Sequence, residues 1–246
     1  MYTLYTLYTS CVEVIKISFP IDRLPSSSMG EEIANLLRYE IISGKLEAGS
    51  KISENAIAKK YNASRSPARE ALRILKTEGL VRLERMGAVI NNLSEKDLDE
   101  INDVRFLLES FCMKECAKNL DESLYRFLMY TVEKMEIVAT KNDFVELSIL
   151  DIAFHEAIIE ASNHSRILNV WKGIKNIVIT ALLIATEKRF SMEKDQIDFL
   201  IKEHLDIVEA MKLNDPEKIE EALKVHFADT RKTVISSIFT SDLNVT

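Results

Sequence analysis

Between Ser64 and Gly79 the chain reads SRSPAREALRILKTEG, and few folds accept such a run. Ala68, Ala71, Leu72 and Leu75 recur at i, i+3, i+4 and i+7, which draws one apolar stripe along a helix. Ser64 or Ser66 can cap its start, because a serine hydroxyl accepts a hydrogen bond from an unpaired first-turn N–H. Pro67 falls inside that first turn, where its missing N–H costs nothing. Gly79 stands where a left-handed residue would end the helix. The opposite face carries Arg65, Arg69 and Arg73 four residues apart, so their side chains stack along one side of the cylinder, with Ser66 beside them.

The flanks narrow the choice further. Upstream, Ser53 to Tyr61 is a short helical run with Ala56, Ile57 and Tyr61 apolar, followed by a turn at Asn62-Ala63-Ser64. Downstream, LVRLERMGAVIN alternates apolar and polar residues around a Gly-containing turn, the pattern of a two-stranded wing. From Lys59 to Arg85 there are eight Lys and Arg against three Glu. A solvated charged hairpin accounts for any one of these features alone, but not for all of them in this order. A recognition helix enters the major groove with its N-terminal residues on base edges, and arginine is the commonest specific reader of guanine. The segment is therefore expected to be a winged helix-turn-helix.

The run ISENAIAKKYNASRSPAREALRILKTEGLV also resembles the DNA-binding signature of the GntR superfamily of bacterial transcription regulators. That resemblance implies contacts to double-stranded DNA from Arg65, Ser66 and Arg69, with Arg73 along the same face. It places the wing turn at Arg85-Met86-Gly87 and so adds Arg85 and Gly87 to the expected DNA-binding set. Asn55 joins them at a position where many members carry an arginine that reaches DNA. Met86 stands where the wing often carries Arg or His.

The chain's 246 residues suffice for two domains, each with a core. Six Gly, four Pro and abundant Leu, Ile, Lys and Glu favour a mostly α fold. The net charge of −7 is unusual for a DNA binder until it is divided. Residues 29–92 hold 11 basic and 8 acidic side chains, a surplus of +3, whereas residues 93–246 hold 19 and 29, a balance of −10. The acidic excess lies in the part that should not approach phosphate. Three cysteines, Cys11, Cys112 and Cys116, are an odd and sparse set that fits a reducing cytoplasm, with the latter two read as core thiols. No uninterrupted apolar run reaches the roughly 18 residues of a spanning helix, so no membrane partner is expected.

The organisation expected is a tail of uncertain order (1–28), a winged helix-turn-helix domain (29–92), an all-α antiparallel bundle (93–240) and a short C-terminal tail (241–246). The first segment repeats the triplet YTL, then alternates like a strand from Cys11. It lacks the basic start and unbroken apolar stretch of a signal peptide. Met29 is a conceivable alternative start. Ser94-Glu95-Lys96-Asp97 has a capping-box pattern. Helical periodicity then continues to about Thr240, with breaks near Asn119, Asn142, Asn163, Phe190 and Asn214. About six helices joined by short loops make antiparallel neighbours.

All four histidines fall in this bundle. Asp151 and His155 share one face of one helix. His204 and His226 are equidistant from the turn at Asp215, so an antiparallel hairpin sets them at one height. His164 lies in a polar loop and is not expected to join them. Histidines on amphipathic helices are usually hydrogen-bonded core residues, and spacing alone leaves that reading open. Asp-x3-His, then Glu-His, then a His 22 residues on, resembles the FCD ligand-binding domain of the FadR branch of GntR regulators. The resemblance implies that Asp151, His155, His204 and His226 hold a divalent metal ion of the Zn, Ni, Fe or Mn class at the floor of a pocket. It further implies Arg105 near that pocket. Asn176, about as far beyond the turn near Asn163 as Asp151 is before it, is a weaker candidate for the effector site. The expectation is a cytoplasmic homodimeric regulator, repressor rather than activator, that binds a palindromic operator and responds to a small organic acid. The rivals are a sensor of the metal itself and a metal-dependent hydrolase. The hydrolase leaves the arginine helix unexplained and has no general base placed among the four donors, so no enzyme activity is expected.

Overall fold

The structure, a computed structural model, describes residues 23–24, 26–91, 93–192 and 195–239. The YTL repeat, the strand-like alternation, Cys11 and the tail 241–246 lie outside those residues. Arg23 bonds Asp143 at 2.8 Å and Glu146 at 2.7 Å, and Leu24 is buried in the bundle core.

The first domain runs α1 (Met29–Ile42), β1 (Lys51–Ser53), α2 (Glu54–Lys60), α3 (Arg65–Thr77), β2 (Val81–Glu84) and β3 (Gly87–Ile90). Ser28 caps α1 and Ser53 caps α2, accepting from Glu31 N at 3.2 Å and Ala56 N at 3.1 Å. Ser64 occupies the N-cap of α3, but its hydroxyl makes no capping bond, contrary to expectation. Residues 64–66 are exposed, so water can serve the first-turn N–H groups there. The expected stripe of Ala68, Ala71, Leu72 and Leu75 is buried, and Gly79 ends the segment at φ +77°.

The wing has three strands rather than two, in the order β1-β3-β2 with both pairings antiparallel. Three residues are too few for β1 to show alternation, so the sequence carried no signal for it. Gly87 lies opposite Ser53, and a Cβ there would stand 2.1 Å from the carbonyl oxygen of Ile52. The close approach of β1 to β3 therefore requires glycine.

The second domain holds α4 (Glu95–Ala117), α5 (Glu122–Thr140), α6 (Phe144–Ala161), α7 (Ser165–Met192), α8 (Asp195–Lys212) and α9 (Pro216–Phe239). The capping box at Ser94 and Asp97 is complete. Asn142, Asn163 and Asn214 turn the chain between helices at φ 51–54°, a left-handed region that asparagine tolerates. Helix α4 packs on α6 and α9, α5 on α6 and α8, and α8 on α9. This brings α4, α6, α8 and α9 around one centre.

Helix α7 joins the two domains. By length and composition Ser165–Ser191 is apolar enough to cross a membrane, although polar residues interrupt it. Its apolar side chains are instead divided between two cores. Trp171, Val178, Leu182 and Leu183 pack in the bundle, whereas Ile177 is buried with Leu37, Leu72 and Leu75 in the winged domain. A buried ion pair lies at the same contact. Arg38 of α1 grips Glu78, the C-cap of α3, through two hydrogen bonds of 2.7 and 2.6 Å, and Asn35 takes a third from Arg38 at 2.6 Å. The two charged side chains are 1% and 5% exposed.

Removing one partner of a buried pair leaves an uncompensated charge and costs about 3–5 kcal/mol, whereas replacing both with apolar residues is often close to neutral. Urea denaturation should therefore show Arg38→Ala destabilised by about 3–5 kcal/mol. The paired replacement Arg38→Met with Glu78→Leu should recover most of that loss. Equal losses in the two variants would show that the pair itself sustains the contact.

Candidate nucleic-acid interface and candidate metal centre

The exposed edge of α3 presents Arg65, Ser66, Arg69 and Arg73 to solvent, with Asn55 exposed at the start of α2. Two of the arginines are oriented by a residue that the sequence reading missed. Glu54 accepts from Arg69 at 2.8 and 2.9 Å and from Arg65 at 3.2 Å. The arginine side chains remain 52% exposed while the Glu54 side chain is 10% exposed. They are held without being hidden. The hydrogen bond from Arg69, and then that from Arg65, pulls the Glu54 carboxyl from an ordinary 4.5 to about 2. Sequence spacing gave no hint of this, because the partners lie on different helices. Arg85 and Met86 form the exposed turn of the wing. Gly87 sits beneath β1 and is buried, so its evident task is the strand contact.

In the bundle, Asp151 and His155 from α6, His204 from α8 and His226 from α9 converge, each 4% exposed or less. The three histidines offer ligand atoms that all lie within 4.8 Å of one another. The Asp151 carboxylate stands between two of them, 3.7 Å from His155 Nε2 and 3.6 Å from His204 Nε2. The other ring nitrogens face outward contacts. His155 Nδ1 lies 2.5 Å from Glu109, His204 Nδ1 donates to the Leu200 carbonyl at 2.8 Å, and His226 Nδ1 lies 3.3 Å from Glu203. Contacts of this kind fix ring orientation around a metal. Burial lowers the pKa of His204, and burial followed by the neighbouring His204 and His155 lowers that of His226 well below the ordinary range. Neutral imidazoles keep a lone pair free for ligation.

Asp151 Oδ1, His155 Nε2 and His204 Nε2 are buried without a hydrogen-bond partner. Three imidazoles and a carboxylate, with these atoms unpaired, fit a borderline divalent cation and not Ca²⁺. Glu109 was not foreseen. Burial opposes its ionisation, but His155 and Arg105 outweigh that and hold the carboxyl below its usual range. Arg105 bonds Glu109 at 3.0 Å and stacks 4.9 Å over the Phe227 ring, so it reaches the cluster through Glu109.

Asn176 is elsewhere. Its amide donates to Glu78 at 3.4 Å across the domain contact, so the equidistance argument placed it on the correct helix but the wrong face. His164 stays in its loop, where Nδ1 accepts from Ile167 N at 3.3 Å. Cys112 and Cys116 donate to Ser162 and to the Ile158 carbonyl, and burial raises both thiols, Cys116 to about 11, which suits core thiols. Glu156 is engaged by Trp171 and Lys175 and is no general base for the cluster.

Residues 29–90 match the model of the bacterial regulatory proteins of the gntR family, and residues 100–229 match the FCD domain. The chain belongs to the GntR family. A gluconate operon transcriptional repressor from Bacillus subtilis (strain 168) is 37% identical over 88% of this chain and 89% of its own. A probable D-xylose utilization operon transcriptional repressor from Paenarthrobacter nicotinovorans is 28% identical over 84% and 88%. The solved structure of E. coli McbR/YncC, 19% identical, superposes with a TM-score of 0.66 over 86% of this chain and 99% of that one, which shows the shared fold. This GntR-family chain is thus a DNA-binding transcription regulator and not an enzyme.

A depressed carboxyl pKa means that the Glu54 pairing is complete above about pH 4.5 and is lost as the pH falls through about 2. An NMR titration should give Glu54 a midpoint near 2, rising toward 4.5 in Arg69→Ala. A midpoint already at 4.5 in the unaltered protein would show that the guanidinium groups do not hold it.

Proposed function

We propose that this regulator acts in the cytoplasm as a homodimeric repressor of a palindromic operator, released by a small organic acid that binds beside a divalent metal ion. The observation that carries this reading is the buried cluster of Asp151, His155, His204 and His226, with nitrogen and oxygen atoms left unpaired at its centre. These four residues would hold an ion of the Zn, Ni, Fe or Mn class. Once bound, the ion would offer open positions to a carboxylate. Glu109 and Glu203 orient His155 and His226, and Arg105 adds a positive charge on the α4 side. The Bacillus subtilis relative is a repressor of a gluconate operon, so D-gluconate is the first acid to try.

On the DNA side, Arg65, Ser66 and Arg69 meet base edges and backbone in the major groove, with Arg73 and Asn55 flanking them. Arg85 follows the wing, and Gly87 keeps that wing against β1. Symmetry of two such domains would be mirrored in the operator. Moving a two-state equilibrium from 99:1 to 1:99 takes a differential affinity of about 5.5 kcal/mol, so the acid must touch parts that move. Helix α7 is such a part, since it borders the cluster's domain and carries Ile177 and Asn176 into the winged one. In this account Asn176 belongs to the coupling contact rather than to the acid.

The test compares two variants on DNA from beside the gene. His204→Ala with His226→Ala should bind that DNA normally, purify without metal and ignore D-gluconate. Arg69→Ala should keep its metal and lose about tenfold to a hundredfold in DNA affinity, corresponding to about 1–3 kcal/mol. Release by gluconate from the metal-free double variant would overturn the effector mechanism, and unchanged affinity in Arg69→Ala would overturn the assigned DNA face.

A further inference from the structure

Glu54 stands where three parts of the winged domain meet. It is the first residue of α2, and its backbone N–H donates to the Met86 carbonyl in the turn of the wing at 3.3 Å. Its neighbour Ser53 pairs with Gly87 of β3. The carboxylate then crosses to α3. Oε1 accepts from Arg69 Nε at 2.8 Å, and Oε2 accepts from Arg69 Nη2 at 2.9 Å and from Arg65 Nη2 at 3.2 Å. A negative charge on the side that is to meet phosphates weakens their attraction. Stability does not account for its presence, because pairs with half-exposed arginines contribute little.

The edge that Glu54 takes is informative. A guanidinium is a planar fork of N–H donors. Arg69 commits its Nε edge to Glu54, which leaves N–H bonds of Nη1 and Nη2 free at the outer end. Two neighbouring N–H bonds are what O6 and N7 of a guanine accept together in the major groove. A loose arginine has a second choice, since it can swing to a phosphate, where no sequence is read. Arg69 is held on two bonds and does not swing freely.

The other arginines of this face supply a contrast. Among the described residues, Arg73 and Arg85 have no carboxylate partner and make no side-chain hydrogen bond. The fixed carboxylate is thus confined to the arginines at the N-terminal end of α3, the end that a recognition helix sets against base edges. The flanking arginines stay free to follow the backbone.

Resting on the reading that α3 enters the major groove, we infer that Glu54 is a selectivity residue, which commits Arg69 to a guanine in each half-site and weakens binding to all other sequences. Sequence-independent attraction comes from counterion release and grows with each phosphate neutralised. One negative charge per protomer lowers that attraction on all DNA alike. The fixed fork restores affinity only where a guanine meets it. Glu54 acts through Arg69, so it is a positioning residue and touches no base itself.

The full-length protein tests this on two duplexes, the stretch it protects beside the gene and a scrambled sequence of equal length. Glu54→Gln keeps the shape, removes the charge and turns an amide donor toward Arg69 Nη2, so the two-bond hold is broken. It should bind the scrambled duplex about tenfold tighter, with a steeper salt dependence. Its affinity for the protected duplex should change little, so about tenfold of discrimination is lost. Guanines of the protected half-sites are also exchanged singly for 7-deazaguanine, which lacks the N7 acceptor. One position per half-site should cost the unaltered protein about tenfold and cost Glu54→Gln much less. A residue that only braced the fold would not change which base is read. Undiminished discrimination in Glu54→Gln, or equal 7-deazaguanine losses in both proteins, overturns the inference, and the DNA face stands if Arg69→Ala still loses affinity. An Arg69→Ala protein that binds normally overturns both. The scan of the unaltered protein decides the matter even if the variant does not fold, because the absence of any sensitive guanine contradicts the inference.

Discussion

Ile177 belongs to the helical bundle by its place in the chain and to the winged domain by its packing. Burying an isoleucine side chain stabilises by about 1.5–3 kcal/mol, so withdrawing it is a substantial event in a protein of ordinary stability. The neighbouring residue on α7, Asn176, donates to Glu78, and Glu78 is the C-cap of the helix that carries Arg65 and Arg69. Arg38 locks the same carboxylate to α1. One turn of α7 therefore touches the core of the DNA-binding unit and the end of its recognition helix together. The next turns of that helix, at Leu182 and Thr186, line a small cavity that reaches Asp151 of the cluster. In the proposed function this helix, gripped at both places, is the part that would carry displacement from one to the other.

Charge is arranged to keep the two ends chemically apart. The arginine helix lies in the segment with a positive balance, and the bundle carries the acidic excess. Glu54 orders two guanidinium groups that stay half-exposed, and surface pairs of this kind contribute little to stability. Its value lies in orientation. Inside the bundle the logic is reversed, since charges there are buried and paired, as with Arg105 and Glu109. The arginines of the winged end are open to a polyanion, whereas the paired charges of the bundle are closed off from solvent.

Much of this was legible in the residues because it rests on periodicity. The stripe from Ala68 to Leu75 specified the buried face of α3, and the polar breaks at Asn142, Asn163 and Asn214 specified the turns. Equal distance from Asp215 set His204 and His226 at one height, and their ring centroids lie 4.8 Å apart. What escaped has no local period. A three-residue strand shows no alternation, and Glu54 meets its arginines only after two helices have folded together. Glu109 meets His155 from another helix altogether. Asn176 failed for a different reason, since counting from a turn gives height along a helix but not direction around it. Side-chain partners across elements are the part of a site that a single sequence conceals.

In the proposed function the bundle and the recognition helix share one moving part, α7. Hydrogen exchange on the Zn²⁺-loaded protein, with and without saturating D-gluconate, addresses it directly. The account predicts slower exchange along α6 and α9 together with altered exchange at two distant places at once, the middle of α7 near residues 174–180 and the end of α3 near residues 74–80. Protection confined to the bundle, with residues 74–80 exchanging as before, would contradict it.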